Sequence, residues 1–153
     1  FGSKCIKSSQ IFVSALVYFV SDNNICQREL ILEGFRERVI STWLVERMLS
    51  DGEYEPSALI AELDGTPVGL VHFLFHRHCW KTQNACYLQD LYVDSSQRGR
   101  GVGEALIEKV ALLARDQNAG RLYWLTQEDN TAARRLYDRV AVAPGFIQYR
   151  KPL

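Results

Sequence analysis

The sequence carries no excess of either charge. Over 153 residues, 18 Lys and Arg balance 18 Asp and Glu, for a formal net charge of zero. A dedicated nucleic-acid binder advertises a basic excess, so that partner class is not expected. No apolar run reaches the roughly 20 residues needed to span a bilayer as a helix, and no membrane association is expected. Four cysteines (Cys5, Cys26, Cys79 and Cys86) form no C-x-x-C pair. In a chain long enough to bury its own core they read as reduced thiols, not as a disulfide scaffold. Internal repeats and low-complexity tracts are also missing.

Two further absences decide ambiguous segments. Lys4 and Lys7 precede the apolar run Ile11–Val20, an arrangement that imitates a secretory signal. No small-x-small cleavage site follows; the chain continues Ser21-Asp22-Asn23-Asn24. The run is rich in β-branched and aromatic residues, which suits a buried first strand. A cytoplasmic location is therefore expected. His76 and His78 alternate along a strand beside Cys79, but no further cluster with ligand spacing appears, so no metal is expected.

What is present describes an ordinary globular domain: 47% apolar and 24% charged residues. The neutral total hides an asymmetry, a net of −4 over residues 1–97 and +4 over residues 98–153. The second half is thus suited to a polyanion.

After the first strand, residues 26–50 read as two helices with imperfect apolar faces. Ser57–Leu63 and Pro67–His78 read as strands joined at Asp64-Gly65-Thr66, where Asp-Gly supplies the positive φ values of a tight hairpin turn. Ala85–Asp94 is a third β-prone run, followed by a polar Gly- and Arg-rich loop at Ser95–Val102. Gly103–Asn118 shows one apolar stripe (Leu106, Ile107, Val110, Leu113, Ala114) and reads as a helix ended by Gly120. Arg121–Gln127 reads as a strand, and Asp129 or Asn130 caps a last helix through Val140. Pro144-Gly145 then breaks the chain before a closing strand, Phe146–Arg150. Strands and helices mix without strict βαβ alternation, so an α+β fold with a mixed sheet is expected.

The chemistry lies in Arg98-Gly99-Arg100-Gly101-Val102-Gly103. Glycines between a strand and a helix let the backbone approach a phosphate, and the first-turn amides and helix dipole then favour the anion. Two arginines add charge-assisted donors. A P-loop would need Gly-Lys-Ser/Thr where this loop ends Gly103-Glu104-Ala105, and a dinucleotide fingerprint would need glycine at 104 or 106, which hold Glu104 and Leu106.

The pattern R-x-x-G-x-G does fit. It is weak alone, but Tyr87-Leu88-Gln89-Asp90-Leu91-Tyr92-Val93-Asp94 stands before it and Asn130-Thr131-Ala132-Ala133-Arg134-Arg135-Leu136-Tyr137 after it. On these three segments the sequence resembles the GNAT acetyltransferases over about Ser57–Lys151. Within that family it is most similar to the yeast histone and polyamine acetyltransferase branch and its bacterial relatives, through His76, Trp80, the Tyr87–Asp94 run, Tyr123-Trp124, Thr126, Glu128 and Asn130. The resemblance implies a single N-acetyltransferase domain over 1–153, with an atypical N-terminal part (1–56) and an acetyl-CoA-binding core (57–151). It implies a mostly antiparallel sheet with splayed central strands flanked by helices, and a homodimer.

The same resemblance implies direct acetyl transfer from acetyl-CoA to a primary amine of a small molecule, such as a polyamine, amino acid or amine drug. Leu91, Tyr92 and Val93 would hold pantetheine, and Arg98, Gly99, Arg100, Gly101, Val102 and Gly103 the pyrophosphate, with Asn130 and Ala133 also on the cofactor side. Tyr137 matches the family's general acid. A lysine-like amine has a pKa of about 10.4 and must lose a proton to react. Many relatives carry Glu where this chain has Gln89, so Asp90, Glu128 and a water relay all stay open as the route for that proton. His76, Trp80 and Gln89 are expected to wall the acceptor pocket. Two other readings remain: a protein or histone lysine acetyltransferase, and a non-catalytic acyl-CoA-binding module.

Overall fold

The fold was analysed in a computed structural model, which describes Ile11–Ala15 as backbone, Arg47, Ser50, Gly52 and residues 54–153. The two helices expected over 26–50, and the first strand beyond Ala15, lie outside the described residues apart from a helical Arg47.

Among the described residues, five strands form one sheet in sequence order: β1 (Ile11–Ala15), β2 (Ser57–Leu63), β3 (Thr66–His76), β4 (Ala85–Val93) and β5 (Arg121–Tyr123). The first four run antiparallel to their neighbours and β5 runs parallel to β4. Two helices complete the order, α1 (Val102–Asp116) and α2 (Thr131–Val140). The expected α+β architecture with a mixed, mostly antiparallel sheet is what the chain adopts.

The β2–β3 hairpin follows from its turn: Asp64 and Gly65 take φ values of 51° and 75°, the positive pair that matches the twist of the flanking strands. Alternation along β3 then assigns its faces. Val71 and Phe73 join the apolar layer beneath α1, with Leu59, Leu88, Val102, Leu106 and Val110, while Leu70 and His72 point to the opposite face. Helix α1 approaches the sheet closely because β3 carries glycine at its crossing point. A Cβ on Gly69 would lie 2.9 Å from Val102 Cγ1 and 3.2 Å from the carbonyl oxygen of Tyr92.

Four boundaries depart from the sequence reading. Strand β3 ends at His76, so His78 lies outside the strand on which the two histidines were expected to alternate. Helix α1 stops at Asp116, and Asn118 (φ 52°), not Gly120, takes the left-handed turn. Gly120 instead donates its amide to the carbonyl of Asn84 at 2.8 Å, tying the start of β5 to the loop before β4. Strand β5 ends at Tyr123 instead of Gln127, because its pairing with β4 stops at Tyr87. The closing strand expected at Phe146–Arg150 does not form: residues 142–153 have no regular secondary structure. Phe146 is 90% and Tyr149 87% exposed. A strand needs a hydrogen-bonded neighbour, and the segment has none among the described residues.

Candidate active site

The site is built where β4 and β5 part. Their ladder covers only Ala85–Tyr87 against Arg121–Tyr123, yet β4 continues to Val93. The register between β3 and β4 explains the divergence. His72 pairs with Asp90 but Phe73 pairs with Leu88, so Gln89 is an extra residue that bulges from β4. A bulge bends its strand and strengthens the local twist. Beyond Tyr87, residues 88–93 of β4 leave the ladder with β5, and among the described residues no other strand runs along that side.

At the end of this open edge the chain turns into the glycine-rich loop. Asp94 accepts from the Ser96 amide at 2.8 Å and its hydroxyl at 2.6 Å, shaping a short 3₁₀ turn over Ser95–Gln97. Gly99 and Gly101 take φ values of 76° and 84°, with nothing within 4 Å of where a Cβ would stand. Gly101 precedes α1 and offers no side-chain cap, so first-turn amides of a 15-residue helix are left for a ligand. Arg98 donates its Nε to the Val93 carbonyl at 3.3 Å and Arg100 donates to Gln97 at 2.6 Å; both side chains are exposed. The open loop, uncapped helix and two guanidiniums fit a pyrophosphate. Leu91, Tyr92 and Val93 lie on β4 beyond its ladder with β5, a course that an extended amide-bearing chain could follow.

Helix α2 brings Tyr137 beside Trp124, just past the end of β5. Asn130 caps it, accepting from the Ala133 amide at 3.3 Å and donating to Thr126 Oγ1 at 3.3 Å. Leu136 seats against α1 where Gly103 leaves room, since a Cβ there would stand 3.0 Å from Leu136 Cδ2. Arg139 and Glu104 clasp the two helices at 2.8 Å. Tyr137 follows Leu136 and packs on Trp124, ring centroids 5.4 Å apart. Trp124 is the first residue beyond the β4–β5 ladder. Burial pushes the Tyr137 phenol above its ordinary value, because the ionised form would lose solvation.

The opposite face of the sheet carries a polar and aromatic group. Asp90 is half exposed, with its carboxylate 3.2 Å from Nδ1 of the buried His72. Nearer the closed end of the gap, His76 Nδ1 lies 2.8 Å from the Arg77 carbonyl and its Nε2 lies 2.9 Å from the Tyr123 hydroxyl. A carbonyl only accepts, so Nδ1 carries the proton and the Tyr123 hydroxyl donates to Nε2. Tyr87 lies beside Tyr123 at 5.0 Å, and the Arg121 guanidinium covers that ring at 4.6 Å.

The sequence-predicted residues thus divide. Leu91–Val93 lie on β4 beyond its ladder with β5 and lead towards the Arg98–Gly103 loop, Tyr137 packs on Trp124 just past the end of β5, and Gln89 and Asp90 stand at the β4 bulge. Asn130 and Ala133 are engaged with each other as a helix cap. Glu128 is exposed on the loop after β5, where its carbonyl accepts from Arg134. Trp80 is 92% exposed and leans on His78. Sequence reasoning passed over His72, Tyr87 and Tyr123 as site residues. A histidine inside the run Val68-Gly69-Leu70-Val71-His72-Phe73-Leu74-Phe75 was the available signal.

A mostly antiparallel sheet that opens into a parallel pair beside a glycine-preceded, uncapped helix start is the architecture this chain shares with solved N-acetyltransferases. The chain belongs to the acetyltransferase (GNAT) family, whose model matches residues 25–141. It is 34% identical over 87 residues to the D-amino-acid N-acetyltransferase HPA3 of Saccharomyces cerevisiae, covering 57% of this chain and 54% of that protein. It is 32% identical over 114 residues to a thialysine N-epsilon-acetyltransferase of Bos taurus, covering 74% of this chain and 62% of that one. The chain thus spans between about half and two thirds of the length of these relatives. An aminoglycoside N-acetyltransferase solved in complex with CoA shares the fold, with a TM-score of 0.72 at 17% identity, over 97% of this chain and 99% of that one. Among the described residues, no helix is long and apolar enough to cross a membrane.

Proposed function

We propose that the chain catalyses acetyl transfer from acetyl-CoA to a primary amine of a small molecule, in a ternary complex. The observation that carries this reading is that β4 and β5 part after Tyr87 and Tyr123, with an uncapped, glycine-preceded helix start following β4 and Tyr137 packed on Trp124 just beyond β5. The D-amino acid and thialysine named for its relatives support an amine-bearing amino acid as the acceptor class.

When bound, acetyl-CoA supplies the thioester whose acetyl group passes to the amine nitrogen as the carbon–sulfur bond breaks. The loop amides, Arg98 and Arg100 hold the pyrophosphate, and the β4 edge orients the chain that leads to the thioester. Tyr137 donates its phenolic proton to the departing sulfur and is reprotonated, through solvent, by the proton the acylated nitrogen loses as it becomes an amide; its raised pKa keeps it protonated across the neutral range. Asp90, half exposed on the other face, draws the acceptor ammonium to the gap and passes its proton to solvent. Gln89 cannot take that proton but can accept a hydrogen bond from the amine.

A second reading, an acyl-CoA-binding module without turnover, is favoured by Gln89 alone, an amide where a base would be useful. Mass-spectrometric detection of acetylated product separates the two, using acetyl-CoA with pooled polyamines, amino acids of both hands and aminoglycosides. A colorimetric thiol readout is unsuitable because Cys79 is exposed. Product formation falling about 10- to 10⁴-fold in Tyr137→Phe is expected for loss of a general acid. Undiminished turnover in that variant removes Tyr137 from the mechanism. Tight acetyl-CoA binding without product from any acceptor supports the binding module.

A further inference from the structure

His72 is only 2% exposed, on the side of β3 facing away from α1. One ring nitrogen, Nδ1, meets Asp90 Oδ2 at 3.2 Å, and the other, Nε2, is buried with no hydrogen-bond partner among the described residues. Leucine would fill such a position without stranding a polar atom, and leaving one unpaired destabilises a fold. The imidazole is therefore expected to repay that loss through Asp90. A carboxylate only accepts, so Nδ1 carries a proton and donates it to Asp90.

The location of the pair gives it a use. His72 and Asp90 are the first partners across β3 and β4 after the bulge at Gln89, on the part of β4 beyond its ladder with β5. Asp90 thus leans inward on a buried donor through one oxygen. Its other oxygen, Oδ1, takes no hydrogen bond among the described residues, and the side chain is 52% exposed. An exposed aspartate samples several rotamers; one anchored from beneath presents a single acceptor at a constant angle.

We propose that His72 is a positioning residue for acceptor recognition: through Nδ1 it fixes the Asp90 carboxylate so that Oδ1 meets the ammonium of the incoming amine. This rests on the acetyltransferase reading above, and it adds a buried residue that touches neither substrate.

The test compares His72→Leu, His72→Asn, Asp90→Asn and the double variant His72→Leu/Asp90→Asn in steady-state kinetics. His72→Leu should raise KM for the amine about 10-fold or more, the scale of losing a held geometry, with KM for acetyl-CoA within about 2-fold of the parent. His72→Asn, whose amide can donate near the Nδ1 position, should recover most of that loss. In the Asp90→Asn background, His72→Leu should cost less than about 2-fold further, because the two residues act as one unit. Full additivity in the double variant, or equal damage to both KM values, overturns the proposal. A second measurement does not depend on turnover: ¹⁵N NMR of the unmodified chain should show His72 as the Nδ1–H tautomer, with that preference lost in Asp90→Asn. An Nε2–H tautomer overturns the proposal even if no acceptor is ever acetylated, and absence of acetylation with the expected tautomer overturns only the functional reading.

Discussion

Gly101→Ala separates the cost of a strained backbone from the cost of a blocked ligand site. Gly101 sits at φ 84°, so an alanine there is strained by roughly 1–2 kcal/mol. Its Cβ meets nothing within 4 Å, so no steric term adds to that. Part of the strain is offset by the stiffer unfolded chain, about 0.4–1 kcal/mol, leaving a net loss near 1 kcal/mol. For a chain of this size that corresponds to a Tm lower by about 2–4 °C. The new methyl stands in the open space of the anion loop, and a tenfold loss of acetyl-CoA affinity is expected. At a ligand concentration 100 times the parent Kd, bound ligand stabilises the parent by about 2.7 kcal/mol and a tenfold weaker variant by about 1.4. The ligand-induced Tm shift should therefore shrink by about 3–5 °C. Gly65→Ala is a matched control: it has a φ of 75°, equally open surroundings, and lies in the β2–β3 turn. Differential scanning fluorimetry of both variants with and without acetyl-CoA decides the matter. Equal ligand shifts in Gly101→Ala and Gly65→Ala would refute the assignment of the loop.

Two further expectations concern the core. Burial raises the Cys86 thiol from 9.0 to about 12. Below pH 9 both folded and unfolded chains keep the proton; above it the unfolded chain loses it first, so stability falls by up to about 1.4 kcal/mol per pH unit until the folded value is reached. Urea titrations from pH 8 to 10.5 should show that fall in the parent and a shallower one in Cys86→Ala; identical slopes would contradict it. Gly69→Ala forces a methyl to 2.9 Å from Val102 Cγ1 and 3.2 Å from a backbone oxygen, so α1 must shift outward. A loss of about 1–3 kcal/mol by urea denaturation is expected, together with weaker acetyl-CoA binding, since Val102 opens the helix that the loop feeds. Unchanged affinity would mean the loop tolerates displacement of α1.

Signals along the chain were enough for the elements whose causes are local. Asp64-Gly65 specifies its turn through φ alone, the apolar stripe of α1 follows from its period, and Asn130 caps α2 with its own side chain. The glycine-rich loop was legible for the same reason, because positive φ at Gly99 and Gly101 and the absence of a side-chain cap are properties of a few consecutive residues. Features that depend on a distant partner were not. Phe146–Arg150 has the composition of a strand but no neighbour to bond among the described residues, and β5 stops where β4 bends away. That bend comes from a register shift between His72 and Phe73, which exists only once two strands are paired. The sequence by itself determined α1, α2, the hairpin and the glycine-rich loop, because propensity, periodicity and glycine act over a few residues. Only the tertiary structure decided that β4 bulges at Gln89, that Tyr137 packs on Trp124 beside the gap, and that His72 is buried beneath Asp90. Each of these joins residues between 13 and 18 positions apart, and a contact across such a separation is settled by packing, which no local pattern encodes.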